Sequence, residues 1–475
     1  MHLTISQITE FSQAQTIVPA QDGHCVIQKL GWDSRTLQPG MLFVALVGEA
    51  VDGNDFIVDA FEKGAAAIIA SRQVSEAQRF SATKHKAALL HVPDGLIALQ
   101  RLASEYRKTL NAKVIGITGS SGKTSTKQFV SAVMERAFMT IASIGNRNNE
   151  IGLPATVLSA SPLTEVLIVE MAMRGLGQIA ELCEIARPQM GIITNIGPAH
   201  LELLGSKENI ARAKAELIEA LPDGSGIAIL NGDDPYTPLI RTSARTSERD
   251  ISVTTFGLGA HNDIRADHIE YDGLGCASFD LWGFDGVPRR VRLGISGSHS
   301  IYNALAAAAA GTRLGLDLQQ IIPALEQAQA APMRQVNHIL EDGTLLIDDT
   351  YNANPDSMKA ALEVLGRLGK DRPHIAVLGD MGELGTDETE LHRQVGAIVG
   401  QTGVDVLITV GELALNYARG ALEAGMDESH IISCANIDEV MAALAGYRDA
   451  PSIILVKASR FMALERVVEL LIGGS

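Results

Sequence analysis

Short unbroken apolar runs alternate with longer amphipathic stretches along most of this chain. Runs at 113–118 (Lys-Val-Ile-Gly-Ile-Thr), 166–170 (Val-Leu-Ile-Val-Glu) and 190–195 (Met-Gly-Ile-Ile-Thr-Asn) are separated by text of helical spacing. Continuous Val/Ile runs between helices predict strands buried on both faces, as in a parallel sheet covered by helices. Residues 250–295 carry short alternating runs, which predict an antiparallel extension of that sheet. After Pro332 a second series follows at 345–348, 375–378, 406–409 and 453–456. Several of its runs end in polar or glycine-rich text, at 348–352, 379–381 and 457–460. Ligands gather at the carboxyl ends of such strands, so a cleft between the two series is the natural site. The first 108 residues hold shorter strand-like pieces, at 41–46 and 66–70, and a helical stretch at 96–110 leads out of them.

Length and composition add bounds. At roughly 150 residues per domain, 475 residues predict about three domains. A hydrophobic content of 46% with 20% charged residues gives ample core. The net charge of −17 sets a field that repels nucleic acid and anionic membranes, so an anionic ligand must be held locally. Cys25, Cys183, Cys276 and Cys434 are far apart and form no Cys-x-x-Cys pair, which fits reduced thiols and argues against a zinc site. The N-terminus lacks a basic segment followed by an apolar core, and no apolar run reaches about 18 residues. The alanine tract at 306–310 reads as part of a helix. The expectation is a cytoplasmic protein with no membrane insertion.

One segment carries most of the chemistry. Residues 118–124, Thr-Gly-Ser-Ser-Gly-Lys-Thr, follow the 113–118 run and open a helical stretch from about 125 to 136. Glycines let backbone N–H groups turn toward phosphate oxygens, Lys123 supplies charge, and the Thr124 hydroxyl can ligate Mg2+. The loop is not the common Gly-x4-Gly-Lys form, because Ile117 stands where that form needs its first glycine. The same residues also fit a glycine-rich turn that merely caps a helix. With the loop in place, the chain reads as an α/β protein of three domains. A small α/β N-terminal domain spans 1–108. A central parallel-sheet, P-loop ATPase-like domain spans 109–331, and a C-terminal Rossmann-like α/β domain spans 332–475.

Three further residues fall near the loop. Glu170 ends the run at 166–170, where its carboxylate can reach a loop-bound Mg2+; a solvated or capping role is the alternative. His200 follows the run ending at Asn195 and lies just past a strand's carboxyl end. Lys214 sits in a predicted helix over 206–221 with Ser206 as N-cap and Glu208 in the first turn. Helical spacing puts Ile210, Lys214, Leu217 and Leu221 on one face, and Arg212, Glu216 and Glu219 on the opposite one. A lysine centred on an apolar face snorkels, pairs or is chemically changed. Desolvation lowers its pKa and frees its neutral amine to react.

Taken together, these motifs resemble the Mur ligase family, ATP-dependent amide-forming enzymes of peptidoglycan stem-peptide assembly. The similarity runs through nearly the whole chain: 118–124, Glu170, 195–200 (Asn-Ile-Gly-Pro-Ala-His), 213–217, 231–234, 299–303, Arg334 and 349–354 follow in the family's order. Within the family, the stretches at 33–35, 39–43, 145–154, 349–355 and 379–385 are most similar to members that add D-alanyl-D-alanine to UDP-MurNAc-tripeptide. Ser300, Ala458, Ala172 and Asn54 depart from the usual family residues.

The resemblance implies an acyl-phosphate mechanism using ATP and Mg2+. It implies that Gly119, Ser120, Ser121, Gly122, Lys123, Thr124 and Ser125 cradle phosphates, that Asn303 meets the base, and that Arg334 and Asp349 complete the ATP site. Thr124, Glu170, His200 and Lys214 become the metal set, with Lys214 carbamylated by CO2. Lys123, Glu170, His200 and Lys214 are the catalytic group. Ser34 and Arg35 would face the uridine diphosphate, and Asn149 and Thr156 the sugar-peptide end. A monomer with small-molecule substrates is implied. Two alternatives stay open: a family member with another acid or amine, and a nucleotide-binding switch that activates no acid.

Overall fold

The computed structural model describes residues 1–198, 201–369, 371–447 and 450–473. Three larger sheets organise them. The first is five-stranded, in the order Gln15–Val18, Ala88–His91, Ala67–Ala70, Leu42–Val44, Leu30–Gly31. The second has nine strands, in the order Arg289–Ser296, Cys276–Trp282, Ile264–Tyr271, Ser252–Gly257, Ile227–Asn231, Met190–Ile193, Lys113–Thr118, Val166–Glu170, Thr140–Ala142. It is parallel from Thr140–Ala142 through Ile264–Tyr271, and its last two pairings are antiparallel. The expected antiparallel extension is therefore present, built from strands of seven or eight residues.

The third sheet has six strands, in the order Val336–Ile339, Leu345–Asp349, Ile453–Lys457, His374–Gly379, Val406–Val410, Ile431–Cys434. Its four inner strands are the four apolar runs of the sequence. The two edge strands were not foreseen. Each interrupts its apolar residues with polar ones, as an edge strand facing water can, and so carries no continuous run.

Helices cover both faces of the central sheet, and two of them place the chemistry. Helix Lys123–Met134 follows strand Lys113–Thr118 directly and packs on the alanine-rich helix Ser298–Arg313, whose Ala304–Gly311 segment is wholly buried. A helix that is apolar all round belongs in a core, and small side chains let its neighbour approach closely. On the other face, helix Lys207–Glu219 presses on the sheet over two glycines. Gly116 and Gly191 are register partners on adjacent strands. A Cβ on Gly116 would meet Leu217 Cδ1 at 2.7 Å, and one on Gly191 would meet Ile218 Cδ1 at 2.9 Å. This notch seats the helix close to the strands that carry the phosphate loop.

The end of the first segment is not a loose linker. Helix Gly95–Lys108 buries Leu99, Leu102 and Tyr106 in a core continuous with Leu153, Val157, Ile179 and Leu182 of the central part. The Tyr106 hydroxyl donates to the Ala160 carbonyl (2.8 Å), and buried Arg107 donates to the carbonyls of Leu110, Ala112 and Ala186 (each 2.9 Å). Among the described residues, no helix is long and apolar enough to cross a membrane.

Candidate functional site

The phosphate loop is built from glycine geometry and from Asn195, the first residue of the 195–200 motif, to which the sequence alone assigned no role. Gly122 adopts φ 76° as the N-cap of helix Lys123–Met134, a left-handed backbone that favours glycine. Asn195 then organises the loop. Its carbonyl accepts from the Ser120 amide (3.0 Å), its Oδ1 accepts from the Ser121 amide (2.9 Å), and its Nδ2 donates to Ser121 Oγ (2.8 Å). Two loop amides are thus already used. The amides of Gly122 to Ser125 precede the first helical bond, from Thr126 N to the Gly122 carbonyl (2.8 Å). These are the donors that a helix N-terminus offers to an anion. The Lys123 ammonium folds back to donate to the Gly119 carbonyl (2.8 Å). Burial lowers its pKa, with Glu170 acting against that and Arg334 with it.

Glu170 is buried and heavily bonded. Its two oxygens accept from Thr124 Oγ1 at 3.1 and 3.0 Å, and Oε1 also accepts from Asn148 Nδ2 at 2.8 Å. The Lys127 ammonium lies 3.2 Å from Oε2. Burial alone would raise its pKa, but Lys127, Lys123 and the Asn148 bond outweigh it and hold the carboxyl below the usual range. A hydroxyl and an ionised carboxylate side by side form an oxygen donor set suited to a hard divalent cation. His200 lies outside the described residues.

Lys214 is 2% exposed, among Ile210, Leu217 and Leu221, as its helical face predicts. Among the described residues its ammonium has no hydrogen bond or ion pair. Burial first, and the charge of Lys123 second, push its pKa well down. The opposite face is not the solvated one expected. Arg212 and Glu219 are exposed, but Glu216 is buried. Its carboxylate accepts from the amides of Gly177 (2.6 Å) and Ala180 (3.1 Å), capping helix Gln178–Ala186. The helix is sandwiched between the sheet and that neighbour, so the face away from Lys214 is covered too.

A cavity of about 490 Å3 opens beside the loop. Its walls come from the loop, from Asn195, Asp233, His299 and Asn303, and, across the cleft, from Arg334, Asp349, Tyr351 and Lys457. Asn303 Oδ1 accepts from Thr126 Oγ1 (2.9 Å), while among the described residues its buried Nδ2 has no partner, nor has His299 Nδ1. Burial keeps the His299 pKa down. The Arg334 guanidinium stacks 4.0 Å from the Tyr351 ring centroid, and Asp349 pairs with Lys457 at 2.8 Å. The two walls nearly touch, since a Cβ on Gly197 would meet Asp356 Oδ2 at 2.8 Å. Of the departing residues, Ser300 bonds the Ser296 carbonyl (2.8 Å) and Ala458 packs over Gly379. Ala172 donates to the Asn148 carbonyl (2.9 Å), and Asn54 accepts from the amides of Ser71 and Arg72.

A second cavity, of about 970 Å3, lies on the other side of Glu170. Trp32, Asn146–Gly152 text, Arg174 and Glu383 line it, and Arg147 stacks 5.2 Å from the Trp32 ring. Asn149 lines it and also accepts from Gly152 N (2.9 Å). Three residues expected to bind substrate do not line it. Thr156 is buried within helix Gly152–Ser159, its hydroxyl bonded to the Gly152 carbonyl (2.9 Å). Ser34 is buried, with its carbonyl accepting from Lys63 (3.0 Å). Arg35 is exposed and pairs with Asp33 at 2.7 Å, and its hydrogen bond holds the Asp33 carboxyl at about 2.

Three family models match in the same order as these parts: Mur ligase family, catalytic domain, at 26–107; Mur ligase middle domain at 117–311; and Mur ligase, glutamate ligase domain, at 333–460. The UDP-N-acetylmuramoyl-tripeptide--D-alanyl-D-alanine ligase of Bacillus subtilis is 35% identical over 99% of this chain and 98% of its own length. The chain belongs to the Mur ligase family. The ligase of the same description from Escherichia coli is 34% identical over 99% of this chain and 98% of that protein. Among solved structures, MurF from Acinetobacter baumannii superposes with a TM-score of 0.86 at 30% identity, covering 100% of this chain and 99% of that one. MurF from Thermotoga maritima in complex with ADP gives 0.79 at 29%, covering 94% and 97%. As a Mur ligase, the chain is an ATP-dependent amide ligase with the family's three-domain fold.

Proposed function

We propose that this chain joins D-alanyl-D-alanine to UDP-MurNAc-tripeptide, converting ATP to ADP and phosphate. One observation carries the chemistry: Thr124, beside the phosphate-loop lysine, bonds an ionised Glu170 at 3.0 Å, and buried Lys214, without a hydrogen bond or ion pair among the described residues, feels the charge of Lys123. Likeness along the full length to ligases of that description supports the choice of acid and amine.

A carboxylate does not react with an amine until it carries a leaving group. The tripeptide carboxylate attacks the γ-phosphorus and ADP departs, leaving an acyl phosphate. The dipeptide amine then attacks the acyl carbon and loses a proton, and phosphate leaves as the amide forms. Lys123 and the amides of Gly122 to Ser125 hold the phosphates. Thr124, Glu170 and His200 would hold Mg2+, which neutralises charge where the two anions meet. The Lys214 amine adds to CO2 and releases a proton, giving a carbamate that serves as a further oxygen ligand. Its apolar setting and lowered pKa favour that neutral amine. Asn303 meets the base, and Arg334 and Asp349 close the ATP site from the C-terminal part. Asn149 faces the peptide end, and Arg35, free to leave its exposed pairing, turns to the uridine diphosphate.

Phosphate release tests the reading. ATP alone and ATP with the tripeptide acid should give no sustained release, and adding D-alanyl-D-alanine should start turnover. Turnover with a different acid or amine, and none with this pair, would make it another kind of Mur ligase. Release indifferent to any acid would leave only a nucleotide switch.

A further inference from the structure

The buried cation at Lys127 helps keep Glu170 ionised but has been given no role toward substrate. It stands one helical turn after Lys123, with its side chain 3% exposed. It does not line the cavity beside the phosphate loop. Its ammonium lies 3.2 Å from Glu170 Oε2 and donates to the Gly145 carbonyl at 2.7 Å. Gly145 heads the loop whose Asn146, Arg147 and Asn149 line the larger cavity. The same loop returns to Glu170 through Asn148 Nδ2, at 2.8 Å, and its Asn148 carbonyl accepts from the Ala172 amide (2.9 Å).

Stability is a poor reason for such an arrangement. A buried ion pair adds little over an apolar pair of the same volume, because both charges lose their water. What it does fix is position. One carboxylate is shared between Thr124 on the phosphate-loop side and Asn148 on the larger-cavity side, and one ammonium locks that carboxylate to the loop's first residue.

We propose that Lys127 is a positioning residue that keeps Glu170 and the 145–151 loop in one register, coupling nucleotide binding at the phosphate loop to acid binding in the larger cavity. This rests on the ligase reading above.

The test uses the full chain with Trp282 replaced by Phe, so that Trp32, beneath Arg147, reports binding of UDP-MurNAc-tripeptide by its emission. Binding of ADP with Mg2+ is followed separately by calorimetry. In the otherwise unchanged protein, each ligand should alter the dissociation constant of the other by the same factor. Lys127→Met should weaken Mg2+-dependent ADP binding by about tenfold or more, the usual effect of losing a residue that orients a metal ligand. It should also abolish the coupling and raise KM for the acid, and Lys127→Arg should restore part of each. A merely structural lysine would lower melting temperature and specific activity together and leave both dissociation constants alone. Asn148→Ala removes the other arm from a half-exposed position, and loss of coupling is expected there as well; if Lys127→Met does not fold, this variant decides. A folded Lys127→Met protein with unchanged constants, retained coupling in Asn148→Ala, or no coupling in the parent overturns the proposal. Failure of the parent to release phosphate with acid and dipeptide would instead sink the ligase reading, and the two failures are read in separate assays.

Discussion

Buried Lys214 is costly to the fold, and the role proposed for it makes it necessary to the reaction. Replacing it by Ala should abolish phosphate release, and short carboxylic acids added to that variant should restore part of it by standing in for the carbamate. Full activity of Lys214→Ala would remove the carbamate from the mechanism. Its pKa also makes a stability prediction. An unfolded lysine binds its proton below about 10.5, whereas burial holds the folded one well under that value. Between the two, the unfolded chain binds more protons, so stability rises with pH across the alkaline range. With CO2 excluded, Lys214→Met should flatten that rise. At neutral pH its unfolding free energy, read from denaturant titration, should be higher by about 1–3 kcal/mol, the usual cost of burying an unpaired polar group. Lys123 and Thr124 were legible from one local motif, Glu170 from the end of an apolar run and Lys214 from the period of its helix, each a reading of neighbouring residues. Asn195 as organiser of the loop, and Asn148 and Lys127 on Glu170, were not, because they are contacts made across 22 to 74 positions of sequence separation. A second lysine one turn after the first was a visible signal for Lys127, but spacing alone does not say which way it points.

At the scale of elements, the runs with a continuous apolar pattern became the inner strands, and helix 206–221 became Lys207–Glu219 with its Ser206 cap in place. Periodicity failed where a helix has two covered faces. Glu216 lies two residues from Lys214, so a helical wheel sends it outward, yet another helix waits there with free amides. The notch at Gly116 and Gly191 was equally silent, since a glycine in a strand names no neighbour. Gly116→Ala pushes a methyl against Leu217. Urea unfolding should show a loss of about 1–3 kcal/mol, as overpacking usually gives. Activity should fall further than stability does, because the displaced helix carries Lys214. A variant of wild-type activity and stability would show that Leu217 yields freely.

For the whole molecule, the cavity beside the loop draws its walls from two sheets, and we propose that ligand binding closes one against the other. Small-angle scattering should show a smaller radius of gyration with a bound, non-hydrolysed ATP analogue than without ligand; superimposable curves would rule that motion out. The antiparallel extension has a different consequence. It ends the nine-stranded sheet on Arg289–Ser296, where Arg290 and Arg292 face outward, Arg290 pairs with Glu270, and Glu326 takes the Arg292 amide at 3.1 Å. The opposite edge, Thr140–Ala142, is three residues long. A charged, partly capped border on one side and a very short one on the other give a neighbouring chain no template for strand addition. These two borders are predicted to leave the central sheet closed to edge-to-edge pairing with copies of the chain.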